Sequence, residues 1–221
     1  MQVSDITHNY GWQLNQGLRR EDNQDSLATA KMRQVTEDDT HAVGIYIVAD
    51  GVAQSPDGRI ASKLATDVAM RDMLVNTDLM MKYGKFTQQM QQSVRLAHDT
   101  ILQQYSDADE LPATTLVMAL IMETTAYILN VGDSRAYVLS NNTLRQITTD
   151  HTYAQELVEA GAINQEEAQN HPFRNSLSRY LGGSRDHFEP DIFVQHLNVG
   201  DYLLLCSDGL YNLVSEADII S

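Results

Sequence analysis

The stretch AVGIYIVADGVAQ (residues 42–54) is a run of β-branched and apolar residues that ends on a carboxylate, Asp50, followed by Gly51. Its composition predicts a buried strand, and an unpaired charge at the end of such a strand is costly. The pattern recurs twice. TAYILNVGDSRAY (residues 125–137) brings Asp133 to the end of a second apolar run, and DYLLLCSDGLYNLV (residues 201–214) brings Asp208 to the end of a third. Any one of these acids alone reads as a turn residue or a helix N-cap, and Asp-Gly is ordinary turn chemistry. Three together call for a shared cause. Strand ends can converge on one rim, where gathered carboxylates repel unless a cation sits among them. Oxygen donors of this kind suit hard ions, Mg²⁺ or Mn²⁺. The glycines after Asp50 and Asp208 let a backbone carbonyl approach closely. The histidines are scattered, and neither HExxH nor a second cysteine is present, which argues against zinc.

Working outward, Ala42–Val48 is preceded by a polar turn at TEDDT and by two short strands, around YGWQLNQG and SLATAK, joined by LRREDNQD. A helix starting near Pro56–Asp57 continues through RIASKLATDVAMRDMLV, with Ile60, Leu64, Val68 and Leu74 near one face and Ala61 and Ala65 beside them. A second helix covers about residues 86–105, where Met90, Val94, Ala97 and Ile101 recur at helical spacing. The period then changes. TTLVMALIME and TAYILNV form a tight hairpin, and RAYVLS and TLRQIT form another across Asn141 and Asn142, residues suited to positive φ. YAQELVEAGAI and NQEEAQNH are short helices. Strands return at DIFVQHL and DYLLLCS, and SEADIIS opens a last helix with Ser215 as N-cap and Asp218 three residues on. Hairpins with grouped helices give an α+β fold rather than a doubly wound sheet. The Gly-rich phosphate loops of nucleotide-binding folds are absent.

The chain has 221 residues, 43 % of them hydrophobic, enough for one domain with a sizeable core. Its formal net charge of −15 argues against a nucleic-acid or anionic-membrane partner, since phosphate-bearing surfaces are bound with Lys and Arg in excess. The single cysteine, Cys206, excludes an internal disulfide. The N-terminus lacks the basic and apolar regions of a signal peptide, and no apolar stretch reaches the roughly 20 residues needed to span a bilayer. The expectation is a cytoplasmic protein; nothing in the sequence sets its oligomeric state.

In RREDNQDS (residues 19–26), Arg20 can clamp phosphate oxygens with its planar fork, and Asp25 opens the next strand. Taken in order, GLRREDNQDS, VADGVAQSPDGRIAS, ATTLVMAL with LNVGDSRAYVL and LRQITTDHT, and GDYLLLCSDGL resemble the motif blocks of the metal-dependent protein phosphatases, the PPM or protein phosphatase 2C family, in its bacterial form. LVEAGAINQEEAQNHPFRNSLSRYLGG resembles the family's flap and the segment after it, so the likeness covers nearly the whole chain.

The resemblance implies a single domain over residues 1–221: a central antiparallel β-sandwich flanked by helices on both sides, with a flap at about residues 151–180. It implies a phosphoserine/phosphothreonine phosphatase with two Mn²⁺ or Mg²⁺ ions and a third, weaker one. Asp50 bridges two ions, Gly51 offers its carbonyl to one, Asp208 binds the other, and Asp133 matches a ligand of the third. Arg20 matches the arginine that holds substrate phosphate, and Asp25 the acid that hydrogen-bonds metal-bound water. A phosphorylated protein, such as a Ser/Thr kinase or its targets, is the implied partner. In such chemistry activated water attacks phosphorus directly, so Cys206 is expected to be core packing, and Ser134 and Ser207 backbone caps, rather than nucleophiles. Gln24 stands where the family usually has an acid, and VAQSPDG replaces a glycine-rich run without the histidine that animal members carry there. His151 is expected to open the flap helix. The family's later strand bearing an Asp-Asn pair has no counterpart before Ser221. The expectations are therefore a weakened Asp50/Asp208 metal site and an exposed sheet edge. The alternatives are a phosphatase-like regulatory or binding module without turnover, and a hydrolase of small phosphoesters.

Overall fold

The computed structural model describes residues 8–18, 22–35, 40–53, 55, 57–184 and 187–221. Two strands open the ordered part, β1 (Asp25–Val35) and β2 (Thr40–Asp50). Three helices come next: α1 (Gly58–Val75), α2 (Thr77–Tyr83) and α3 (Phe86–Gln104). Then come β3 (Ala113–Thr114), β4 (Leu116–Met122), β5 (Thr125–Val131), β6 (Arg135–Ser140) and β7 (Thr143–Gln146). The last part contains α4 (Tyr153–Glu159), α5 (Gln165–Gln169), β8 (Leu181–Gly182), β9 (Asp191–His196), β10 (Tyr202–Cys206), α6 (Asp208–Tyr211) and α7 (Glu216–Ile220).

A five-stranded antiparallel sheet runs in the order β1-β2-β4-β5-β9, a three-stranded sheet in the order β10-β6-β7, and β3 pairs with β8. Strand periodicity explains why β2, β4 and β5 read as continuous apolar runs: both their faces are buried. Val43, Ile45 and Ile47 of β2, Leu116, Met118 and Leu120 of β4, and Leu129 and Val131 of β5 pack with α1 and α3. The alternate residues Val117, Ala119, Ile121, Ala126 and Ile128 meet Ala136, Leu203 and Leu205 of the second sheet. The result is a β-sandwich with a helical layer on the outer face of the larger sheet. The second sheet has α7 against β7, and β10 pairs with no described strand on its far side.

Both hairpins are present, and the left-handed residues Asn141 (φ 50) and Asn142 (φ 59) make the turn between β6 and β7. Ser215 caps α7 by accepting a hydrogen bond from the Asp218 N–H at 3.2 Å.

Two expectations are corrected. The segment YGWQLNQG is not a strand. It joins no ladder, its Trp12 and Leu14 face solvent, and it is fastened by Tyr10 packing against Tyr46 and by His8. Its alternating apolar residues find no sheet face to occupy. The apolar face of α1 is also only partly as expected: Leu64 and Val68 pack against the core and Ala61 and Ala65 are buried, joined by Ala69 and Met73, whereas Ile60 and Leu74 are 39 % and 41 % exposed. α1 must pack on both β1–β2 and α3, and small side chains allow that close approach. Ala65→Leu is therefore expected to lower stability by about 1–3 kcal/mol through overpacking. Leu74→Ala should stay within about 0.5 kcal/mol of the parent; urea midpoints of the two variants check the difference.

Candidate metal and phosphate site

The register of β1 on β2 sets Asp25 directly opposite Asp50. Cross-strand partners share a face, and here it is the face of Leu27 and Val48, turned toward the second sheet. The second sheet supplies Asp208, the first residue of α6, immediately beyond β10. Asp133 lies in the turn between β5 and β6, the connection that crosses from one sheet to the other. The four acids thus meet where the rims of the two sheets come together. Asp50, Asp133 and Asp208 line one cleft of about 1050 Å³, along with Gly51. Arg20 lies outside the described residues.

The charges feel one another strongly. Burial raises the Asp50 carboxyl far above its usual value, to about 9, and the neighbouring Asp25, Asp208 and Asp133 add to the rise. Burial, then Asp208 and Asp150, push Asp133 up to about 7. Arg135 works against this at Asp133, but its guanidinium is held by both oxygens of Asp150 at 2.6–3.1 Å. Among the described residues no three His, Cys, Asp or Glu side chains are gathered tightly enough to hold an ion as they stand. The donor set nevertheless fits a hard cation: crowded carboxylate oxygens, raised in pKa by burial and mutual repulsion, are the groups that a divalent ion stabilises.

Neutral groups fix the frame. The Asp50 N–H donates to Thr115 Oγ1 at 3.0 Å, and the Thr114 hydroxyl donates to the Asp50 carbonyl at 2.9 Å. Thr115 Oγ1 is also 2.7 Å from Ser134 Oγ, so one hydroxyl pair ties the Asp50 strand end to the Asp133 turn. The Ser207 hydroxyl donates to Asp25 at 2.8 Å, joining the strand before Asp208 to the β1–β2 edge. The Tyr211 hydroxyl donates to the Asp133 carbonyl at 2.9 Å, while its ring lies 3.6 Å from the Arg135 guanidinium. Ser134 and Ser207 are therefore not backbone caps; each spends its hydroxyl on another segment of the site. Ser207 does precede α6, but its side chain makes no capping bond.

Gly51 has a packing reason as well. A methyl group there would land on the backbone of Gly58, the first residue of α1. Gln24 carries a buried side-chain oxygen with no partner among the described residues. Cys206 is buried, and burial raises its thiol to about 12, so it is no thiolate at neutral pH. His151 precedes α4 as expected, but its ring turns to Gly132 and Asp191. Thr115, Tyr211 and the hydroxyl roles of Ser134 and Ser207 were missed by sequence reasoning. Thr115 lies within the ATTLVMAL block, and Tyr211 lies one helical turn after Asp208.

Comparison with known proteins gives the family and the fold. The family described as Protein phosphatase 2C matches residues 18–221. A protein named serine/threonine phosphatase stp from Listeria welshimeri is 38 % identical over 177 residues, which are 79 % of this chain and 69 % of that one. The crystal structure of serine/threonine phosphatase Stp1 from Staphylococcus aureus superposes with a TM-score of 0.70 at 28 % identity, covering 98 % of this chain and 85 % of that one. A structure of the catalytic domain of the phosphatase PstP in complex with two manganese ions gives a TM-score of 0.59 at 26 % identity, covering 89 % and 83 %. The chain belongs to the protein phosphatase 2C family, and its α+β sandwich is that family's fold.

The raised carboxyls set a pH dependence. A carboxyl whose folded pKa lies above its unfolded value of 3.8 leaves the folded state holding more protons, so stability falls as pH rises through the interval. In metal-free buffer the melting temperature is expected to fall between about pH 4 and 9, the span from the unfolded value to that of Asp50. Asp50→Asn should flatten that fall, and millimolar Mn²⁺ should raise the melting temperature most at the high end. Thermal melts across pH, with EDTA or Mn²⁺, measure it.

Proposed function

We propose that this chain is a Mn²⁺- or Mg²⁺-dependent phosphatase that hydrolyses phosphoserine and phosphothreonine in proteins. Asp50, Gly51, Asp133 and Asp208 are its metal donors, and Asp25 and Arg20 its catalytic residues. The observation that carries this reading is the meeting of four aspartates from separated segments at one rim of a protein phosphatase 2C sandwich. Divalent ions bound there supply Lewis acidity, which lowers the pKa of water and offsets charge on the phosphoryl oxygens.

The chain's own residues do the rest. Asp25, fixed by the Ser207 hydroxyl, is placed to orient a water by hydrogen bonding and to take its proton. Asp50, held at both backbone groups by Thr114 and Thr115, presents its carboxylate on the same side. Arg20 would grip the phosphate oxygens and orient the ester. With Cys206 buried and protonated, direct attack by water requires no covalent phosphoenzyme.

Besides the acids, Leu111 and the flap residues Asn175, Leu177 and Tyr180 line the cleft. That leaves room for peptide flanking the phosphorylated residue and favours a protein substrate, a Ser/Thr kinase or its targets, over a small phosphoester. No described helix is long and apolar enough to cross a membrane, and we place the enzyme in the cytoplasm as a single domain over residues 1–221.

Phosphothreonine peptide hydrolysis by the full chain should require Mn²⁺ or Mg²⁺, and Asp50→Asn and Asp208→Asn should each lower kcat by about 100-fold or more. Undiminished turnover in Asp208→Asn would remove the metal assignment. Peptide binding without turnover in the parent chain would identify a binding module instead.

A further inference from the structure

The turn that carries Asp133 is gripped residue by residue from three directions. Ser134 is held by Thr115, the Asp133 carbonyl by Tyr211, and Gly132 by His151. The first two holds come from elements that themselves border the acids. The third comes from the start of the flap segment, and the catalytic reading gives it no part.

His151 is 4 % exposed. Its backbone N–H donates to the Gly132 carbonyl at 3.0 Å, and its ring Nδ1 receives the Gly132 N–H at 3.1 Å. A backbone N–H can only donate, so Nδ1 must be the unprotonated ring nitrogen. The proton therefore sits on Nε2, which donates to Asp191 Oδ2 at 3.1 Å. Burial lowers the imidazole pKa and keeps this ring neutral. The other oxygen of Asp191 receives Arg179 at 3.1 Å. Gly132 itself has little freedom: its φ is 105°, and an added methyl would meet Thr115 Cγ2 at 2.6 Å.

The same histidine closes the neck of the flap. The Ser178 N–H donates to the His151 carbonyl at 3.0 Å, and Thr152 bridges Leu177 in the next register. Leu177 and its neighbour Ser176 line the cleft. One buried side chain thus reaches from the flap's neck to the residue before Asp133.

The geometry points to His151 as a positioning residue for the Asp133 carboxylate, acting through the Gly132 amide, with Asp191 holding the ring in the tautomer that can accept that amide. This rests on the metal reading of Asp133 and adds a residue to it. A hydrogen-bond partner behind a ligand sets the ligand's orientation, and removing such a partner costs metal affinity without removing a donor.

Two near-isosteric variants separate the ring's two contacts. In His151→Asn the side-chain oxygen can stand near the Nδ1 position and still accept from Gly132. In His151→Gln the amide can reach Asp191 as Nε2 does, but the acceptor for Gly132 is lost. Mn²⁺ titration calorimetry on the full chain, with Asp133→Asn used to identify the binding event that needs Asp133, reads the outcome. Hydrogen exchange at the Gly132 amide in metal-free buffer is followed alongside. His151→Gln is expected to weaken that event by about tenfold or more and to speed Gly132 exchange, whereas His151→Asn stays within about twofold of the parent in both. Equal losses in the two variants, or no loss in either, overturn the positioning role while leaving the metal site intact. Mn²⁺ uptake that is absent from the parent chain overturns the metal reading itself, and the role of His151 with it.

Discussion

Mutual repulsion among four carboxylates is the constraint around which the rest of the structure is arranged. Asp25 and Asp50 face each other across β1 and β2, and Asp133 and Asp208 come to the same rim from the sheet crossing and from the second sheet. Like charges directly opposite one another destabilise a strand pair, and burial adds to the cost. Apolar packing elsewhere holds them there. The runs that end in Asp50, Asp133 and Asp208 are anchored by residues such as Ile45, Ile47, Ile128 and Leu129 on one sheet and Leu203 and Leu205 on the other. The strands act as rigid arms whose buried lengths fix where their charged ends lie.

The way the rim is braced reflects the same constraint. A lysine or arginine among the acids would neutralise them and occupy their oxygens. The described braces are instead hydroxyls: Thr114 and Thr115 on the Asp50 backbone, Ser134 on Thr115, Ser207 on Asp25 and Tyr211 on the Asp133 carbonyl. Apart from Ser207, these bonds engage backbone groups or one another, and a further neutral group, the Asn212 amide, donates to Asp208 at 3.1 Å. The guanidinium of Arg135 is taken up by Asp150, Tyr137 and the Tyr211 ring, so it stiffens the neighbourhood while most of its charge is spent outside the cleft. A neutral scaffold around an anionic cluster preserves the attraction for an incoming cation.

How much of this could be read from the sequence depends on the range of each interaction. Strand-end acids are local signals: an apolar run ending in Asp is visible in AVGIYIVADG without knowing its neighbours. The Asn141–Asn142 turn and the Ser215 cap are equally local. The pairing of Asp25 with Asp50 is a matter of register, set by packing across two strands. Ser207 reaches Asp25 across 182 positions and Tyr211 reaches Asp133 across 78, so neither partner lies in any window that periodicity or capping rules examine. Ser207 looked like a cap because it does precede a helix; its hydroxyl went to the more demanding partner, a charged one. On α1 hydrophobicity groups Ile60 and Leu74 with Leu64, Val68, Ala61 and Ala65, whereas helix-on-sheet contact selects for size and leaves the first two outside.

The acids and the cleft wall are built differently. The acids sit at the ends of strands of the sandwich or just beyond them, where a shift in one position disturbs a packed core. The wall formed by Asn175, Ser176 and Leu177 belongs to a segment that leaves and rejoins the body through a two-residue neck, His151 with Ser178 and Thr152 with Leu177. Short helices such as α4 and α5 beyond that neck can vary with little consequence for the sandwich, since they pack chiefly on each other. His151 is where that independence stops: it belongs to the neck by its backbone and to the Asp133 turn by its ring. Farther out, the segment is free of that tie, while residue 151 joins it to the Asp133 turn.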